Sequence, residues 1–364
     1  MQFGHNLAMP LVYQAVTNLA TDAEIKRLMH ALLAGLLLLS APQSHPDYTV
    51  QPYYVYPADQ PRHEEYVRAI EKLLIEVQEW YRVKAGVSFR LLPLRVRKGA
   101  DYLTMRGGKT PSDEVRADIQ KMPLWWDSMD EAVGGLRPRQ VAWVFAQGGG
   151  GWAGANLWGE WTGKGIFGDW VLEPISGVRE PAAVHSGYAT WQVQGGTPKG
   201  TTVHELGHAF GLHHPDKYPG KSIMRWHGDY PNTELLPHEI MILRNSPFFV
   251  PNAYDKNGPW LNFENADVLH WGESVVLTGK NFWSEDEVEF RTIAVEDFEA
   301  ASKNGPAAYE RSIRVKPELL NKSELRVTVP KGIGPGFIRI WRGKLKSNIV
   351  PVNFYPPDSQ SQRS

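Results

Sequence analysis

Residues 201–215 read TTVHELGHAFGLHHP, and this stretch decides how the whole chain is interpreted. His204 and His208 are four residues apart, so on an α-helix they lie one turn apart on the same face and can direct two imidazoles at one metal ion. Glu205 is displaced around the helix, where it would reach a water on the metal instead of the metal itself. The stretch therefore predicts a metal-binding helix that carries its own general base.

The residues after the second histidine predict a sharp turn and a third ligand. Gly211 can adopt the left-handed conformation and turn the chain out of the helix, which would bring His214 back towards the metal. Three neutral imidazoles leave one position of a tetrahedral zinc ion open for water, whose pKa falls from about 15.7 to about 7 on zinc. His213 is one residue off this spacing and fits a supporting or surface position better.

The pattern His-Glu-x-x-His-x-x-Gly-x-x-His resembles the signature of the metzincin zinc peptidases, which also carry a methionine turn downstream. Ser222-Ile223-Met224 matches that turn. The resemblance implies a catalytic domain with a mixed twisted sheet and an active-site helix, a floor formed by Met224 beneath the histidines, and a closing helix over Leu236–Ser246. It also implies one catalytic zinc ion and a protein or peptide substrate.

One position departs from part of this family. Some metzincins place a zinc-ligating tyrosine two residues past the methionine, but this chain has Trp226 there, so a fifth ligand of that kind is not expected. Tyr230 and His227 are near in sequence but not at that position, and we leave both out of the predicted site. His185 and His238 are isolated in sequence, and each fits a structural histidine better than a ligand.

The composition limits the classes of function and fold. A net charge of -1, with 22% charged residues, gives no attraction to polyanions, so no nucleic-acid partner is predicted. The chain has no cysteine, so a metal must be held by His, Asp, Glu or Tyr. The 34 glycines and 27 prolines indicate many turns and favour an α+β protein over a helical bundle. No oxygen-rich loop has the spacing of a calcium site.

The N-terminus contains a pattern typical of export signals. The apolar run Leu28–Leu39 follows Lys26 and Arg27 and ends at small residues, and it is too short to span a bilayer comfortably. Residues 1–44 are therefore predicted to be a signal peptide or an N-terminal extension, which places the rest in a secreted or extracytoplasmic location with no stable membrane span after processing. A buried helix is the alternative, and Met29 as the true start would explain the extension.

Residues 45–255 are predicted to form the zinc peptidase domain. A helix is expected from Pro61 to the glycine at Gly86, because apolar residues recur at helical spacing between them. The Gly- and Trp-rich segment at 148–170 is expected to fold against the rest, as a core-covering lid or as one wall of a substrate cleft. The other predicted elements are strands over Thr49–Tyr56, Val87–Val96 and Val141–Ala146 and a helix beginning at Thr110.

The polar segment Asn252–Pro259 indicates a linker to a second domain over residues 262–356. Val276–Phe282 and Gly332–Ile340 resemble an IPT/TIG-type immunoglobulin-like domain, which implies an all-β sandwich with no catalysis of its own. Such a domain would stabilise or space the enzyme, attach it to a surface or present substrate. The predicted strands cover Ser274–Leu277, Glu287–Arg291, Leu325–Val329, Gly336–Trp341 and Ile349–Phe354.

Together these patterns predict a zinc-dependent endopeptidase in which Glu205 activates the water. Two alternatives stay open: a non-catalytic secreted binding or adhesion protein that retains a zinc site, and a hydrolase of a non-peptide amide. The intact Glu205 argues against the first, because a purely structural zinc site has a closed fourth position.

Overall fold

The computed structural model describes residues 47–102, 122–148, 153–178, 184–186, 189–191, 197–215, 217–263 and 268–357. All of these residues belong to one compact unit by their internal contacts. The apolar run Leu28–Leu39 and the helix expected at Thr110 lie outside the described residues. Within the described ranges, no helix combines the length and apolar character needed to cross a bilayer.

A five-stranded mixed sheet organises the first half of the described chain. Its strand order is β2-β1-β3-β5-β4, in which β4 runs antiparallel to β5 and forms an edge, while the other neighbours pair in parallel. Side chains alternate along β1, so Val50 and Tyr54 enter one core and Tyr53 and Val55 the other. The strands are β1 (Thr49–Tyr56), β2 (Arg95–Lys98), β3 (Gln140–Ala146), β4 (Ala153–Trp158) and β5 (Thr162–Phe167).

Helices cover this sheet, and the longest follows its sequence prediction closely. Helix α1 buries a stripe at helical spacing that includes Ile70, Leu74 and Val77, and Gly86 ends it at a φ of 70°. It begins at Glu64, three residues later than expected. The α-helices of the described chain, not all of which lie on this sheet, are α1 (Glu64–Ala85), α2 (Met122–Ala132), α3 (Asp169–Ser176), α4 (Thr197–Ala209), α5 (Pro237–Leu243) and α6 (Phe298–Asn304). The predicted closing helix is thus present as the shorter α5.

The strand predicted over Val87–Val96 is wrong for most of its length. Strand β2 begins only at Arg95, and before it the chain makes an isolated bridge from Leu91 to Val50. The prediction failed because Val87 and Phe89 are buried by packing into the core rather than by sheet pairing. Pro93 also has no N–H with which to continue a ladder.

The described part of the Gly- and Trp-rich segment, from residue 153 to residue 170, does fold against the rest of the chain, as expected, and it contains the strand pair β4 and β5. Trp161 is fully buried, with ring centroids 4.7 Å from Phe263 and 6.1 Å from Phe248. Beyond α3, β6 (Val184–Ser186) pairs antiparallel with β7 (Ala189–Trp191).

The described residues within 260–355 form two further sheets that share one apolar core. One has the order β13-β14-β10-β8 and the other β12-β11-β15-β16-β9. All five predicted strands in this region are present. The strands are β8 (Trp260–Leu261), β9 (Val268–His270), β10 (Ser274–Lys280), β11 (Glu287–Ile293), β12 (Glu310–Val315), β13 (Glu318–Asn321), β14 (Glu324–Thr328), β15 (Gly336–Arg342) and β16 (Leu345–Tyr355).

The described chain is therefore a mixed α and β structure, consistent with the predicted α+β class. The main core of the first half continues into the C-terminal sheets through Phe337, Ile349 and Tyr355. The two parts are thus packed together across an apolar contact. The division into domains at 255 and 262 stays a prediction.

Candidate metal centre

Helix α4 carries the first two predicted ligands, and a glycine beside them allows the helix to lie close to its floor. The ring centroids of His204 and His208 are 4.7 Å apart. A Cβ at Gly207 would lie 2.4 Å from Met224 Sδ, a distance that no real side chain tolerates. The glycine therefore lets the fully buried Met224 pack directly beneath the helix.

The chain then turns at Gly211 and brings His214 back to the same point. Gly211 has a φ of +93°, which favours glycine, and its N–H bonds the carbonyl of His208 at 2.9 Å. The Nε2 atom of His208 lies 3.1 Å from that of His204 and 3.0 Å from that of His214, and the third pair is 3.2 Å apart. These three histidines could hold a metal ion.

Carbonyl groups orient the two helical imidazoles. His204 Nδ1 lies 2.8 Å from the Ile223 carbonyl and His208 Nδ1 lies 2.7 Å from the Leu212 carbonyl. A proton on each Nδ1 leaves the Nε2 lone pair directed at the centre of the cluster. Burial lowers the pKa of His204 to about 2, with a contribution from His208, and burial and His214 lower the pKa of His208 to about 4. Both rings are therefore neutral near pH 7, which is the form that binds metals.

The segment that supplies the Ile223 carbonyl is anchored by a buried acid. Ser222 donates its hydroxyl to Glu239 Oε1 at 2.7 Å, and the Leu236 N–H bonds the other carboxyl oxygen at 2.6 Å. Ser222 Oγ also accepts the N–H of Met224 at 2.9 Å. Helix α5 thus fixes the turn beneath the histidines.

Glu205 lies on α4 directly after the first histidine. Burial raises the pKa of its carboxyl from 4.5 to about 7. A carboxyl with such a pKa exchanges its proton near neutral pH, which is the property required of a general base or acid.

Two residues that sequence analysis set aside lie near the cluster in different ways. The ring of His227 is 5.0 Å from that of His204, and burial, together with His214, lowers its pKa to about 4. The Tyr230 hydroxyl instead donates to Glu76 Oε1 at 3.1 Å. The His227 ring therefore lies beside a candidate ligand, whereas the Tyr230 hydroxyl is bonded to Glu76.

The other histidines have positions outside the group of three. His213 Nε2 lies 3.1 Å from the Pro351 carbonyl, and His238 is buried and stacks on Phe298 with ring centroids 5.4 Å apart. His185 lies on β6. Within the described residues, His204, His208 and His214 form the group that could hold a metal, and the others do not belong to it.

A cavity of about 400 Å³ opens beside His208 and His214. Edge strand β4, which belongs to the segment expected to be a lid or one wall of a substrate cleft, forms one wall. Strands of the C-terminal sheet form another wall, which the sequence did not suggest. Besides the two histidines, the lining residues are Ala155, Asn156, Leu157, Gly211, Leu212, His213, Phe263, Val268, Val350, Pro351 and Asn353.

No family model matches the sequence, and no curated protein does. Two of the similar solved structures are of OgpA from Akkermansia muciniphila, one a catalytically inactive form in complex with an O-glycopeptide substrate (glycodrosocin) and one the wild type. Both are 14% identical to this chain in sequence, and both alignments cover 83% of it. The alignment covers 89% of the inactive OgpA chain with a TM-score of 0.37, and 88% of the wild-type OgpA chain with a TM-score of 0.38.

A DUF4784 family protein from Bacteroides caccae is 15% identical over 28% of this chain and 23% of its own, with a TM-score of 0.18. Likenesses at these TM-scores do not establish a shared fold. The functional argument therefore depends on the geometry of the site.

Proposed function

We propose that the chain is a zinc-dependent endopeptidase in which His204, His208 and His214 hold one zinc ion. The three mutual Nε2 distances of 3.0–3.2 Å carry the proposal. Tetrahedral zinc with Zn–N bonds of about 2.0–2.1 Å would place its nitrogens about 3.3 Å apart, which this cluster nearly matches. When bound, the ion supplies a Lewis acid that polarises a carbonyl and acidifies water.

Glu205 is proposed to move the proton. Its carboxylate takes a proton from the attacking water as the water oxygen bonds to the scissile carbonyl carbon. The resulting carboxylic acid then gives that proton to the leaving amine as the C–N bond breaks. Burial supports this role, since a pKa of about 7 allows both the acceptance and the release of a proton near neutral pH.

The position of β4 suggests how a peptide is held. It is an edge strand of its sheet and lines the cavity beside His208 and His214. An extended peptide can add to such an edge through main-chain hydrogen bonds, while pockets select its side chains. Apart from its three histidines, the side chains that line the cavity carry no ionisable group, so we expect it to take an uncharged substrate residue.

The wider architecture and location are part of the same proposal. Residues 45–255 form a metzincin-like catalytic domain, and residues 262–356 form an immunoglobulin-like domain. The two C-terminal sheets with their shared core support the second assignment. Residues 1–44 direct export, as their apolar run suggests.

Cleavage of a mixed peptide library by the wild type and by Glu205→Ala, with zinc measured in both, tests the proposal. An O-glycosylated peptide and a non-peptide amide belong in the panel. We expect about one zinc per chain in both proteins and cleavage by the wild type only. If zinc is bound but no peptide is cleaved, hydrolysis of the amide would favour a hydrolase of non-peptide amides, and no hydrolysis at all would favour a binding protein. Absence of zinc would overturn the assignment of the metal site.

A further inference from the structure

His214 differs from the other two candidate ligands in how its main chain is held. It follows the turn at Gly211 and lies outside helix α4, and it is more exposed than His204 and His208. A ligand outside regular structure needs another group to fix its position if the three nitrogens are to stay together.

The C-terminal sheet supplies such a group. The buried Asn353 of β16 donates from Nδ2 to the His214 carbonyl at 3.0 Å. A buried side-chain amide makes hydrogen bonds that are costly to lose, because the amide would be left without a partner in a place that water hardly reaches. This bond therefore fixes the ligand's own peptide group from a strand 139 residues away in sequence.

The same strand contacts the ligand segment at further points. His213 Nε2 lies 3.1 Å from the Pro351 carbonyl, and the Tyr218 hydroxyl donates to the Phe354 carbonyl at 2.9 Å. The rings of Tyr218 and Tyr355 stack with centroids 5.1 Å apart. His213, His214 and Tyr218 thus all contact β16.

Strand β16 is itself held on both sides. It pairs antiparallel with β15 and parallel with β9, where Asn353 is opposite Val268. Its side chains enter both the main core and the core between the C-terminal sheets. Asn353 therefore cannot shift without disturbing two strands and two cores, which makes it a rigid anchor.

We infer that β16 is a part of the metal centre and that Asn353 is a positioning residue which sets metal affinity by fixing the main chain of His214. The inference rests on the proposed function only for the presence of a metal at the three histidines. It extends that proposal, because the C-terminal region is then needed for metal binding and not only for stability or attachment.

The test compares Asn353→Ala and Asn353→Leu with Asn348→Ala in the full-length chain. Leucine nearly keeps the shape of asparagine and removes only the hydrogen-bonding groups. Asn348 is the matched control: it is also buried on β16, but its amide bonds the N–H and carbonyl of Leu261, each at 2.8 Å, far from the histidines in sequence. Zinc affinity is measured by competition with a chelator, and the cobalt-substituted protein reports ligand geometry through its visible spectrum.

Both Asn353 variants are expected to bind zinc about 10–100-fold more weakly and to change the cobalt spectrum, as is usual when a group that orients a ligand is lost. Asn348→Ala should lose thermal stability but keep the affinity. Wild-type affinity in the Asn353 variants, or an equal loss in Asn348→Ala, would overturn the inference. These readouts need no substrate, so zinc binding without peptide cleavage would refute the proposed function alone.

A second measurement uses the wild type and does not depend on the variants folding. Zinc loading is expected to slow amide hydrogen exchange in β16 as well as in residues 204–215, but not in β13, which lies at the far edge of the other sheet. Unchanged exchange in β16 on zinc loading would contradict the coupling.

Discussion

Replacing Glu205 by glutamine should stabilise the metal-free protein above neutral pH while it removes peptide cleavage. Burial raises the pKa of this carboxyl from 4.5 to about 7. The folded state therefore holds the proton more tightly than the unfolded state, and its stability falls as the pH rises from 4.5 through 7. Each pH unit in this window lowers the free energy of unfolding by about 1.4 kcal/mol, so the total loss has an upper limit of about 3 kcal/mol. Because the side chain is partly exposed, solvent screening reduces this, and we expect about 1–3 kcal/mol.

Urea unfolding and thermal melts with a chelator present, at about pH 5 and about pH 8, measure this effect. Glutamine cannot ionise, so Glu205→Gln should be more stable than the wild type at the higher pH. At the lower pH the stabilities of the two proteins should be closer. Glu71→Gln makes the same chemical change at an exposed position of α1 and is the control. A stability difference between Glu205→Gln and the wild type that does not change with pH would refute the reasoning.

Three further changes test other contacts. Gly207→Ala would place a Cβ 2.4 Å from Met224 Sδ, so denaturant unfolding should show a free energy of unfolding lower by about 1–3 kcal/mol. Unchanged stability would contradict the close packing beneath α4. Burial raises the pKa of Glu239 to about 8, so this carboxyl adds its own loss of stability as the pH rises from 4.5 through 8, beside that from Glu205. The stability of Glu239→Gln should therefore decline less steeply with pH than that of the wild type, and parallel stability curves for the two proteins would refute this. Tyr230→Phe removes a hydroxyl bonded to Glu76, so peptide cleavage should persist. A kcat more than about tenfold lower would instead indicate that Tyr230 takes part in catalysis.

The elements with clear periodicity could be predicted from the sequence. Strand β1 and helix α1 were confirmed because their apolar residues follow the periods of a strand and a helix. Strand β5 was missed because its sequence, TGKGIF, hides the pattern. Gly163 is needed where the strand meets α4, since a Cβ there would lie 2.7 Å from the Ala209 carbonyl oxygen, and Lys164 is buried against Asp130.

The candidate site was predictable only as far as local spacing determines it. The convergence of His204, His208 and His214 follows from one helical turn and one glycine turn, which are both visible in fifteen residues of sequence. The hydrogen bond from Asn353 was not predictable, because it joins positions 139 residues apart and an asparagine in a strand carries no signal of its partner. This bond exists only because the C-terminal sheet packs on the first half of the chain.

The central claim is that one metal ion is held by these three histidines. The most direct test is X-ray diffraction from crystals of the zinc-loaded protein, recorded on both sides of the zinc absorption edge. A single anomalous peak about 2.0–2.1 Å from the Nε2 atoms of His204, His208 and His214 is the predicted result. Absence of a peak at the cluster, or a peak whose third ligand is His213 or His227 in place of His214, would contradict the account.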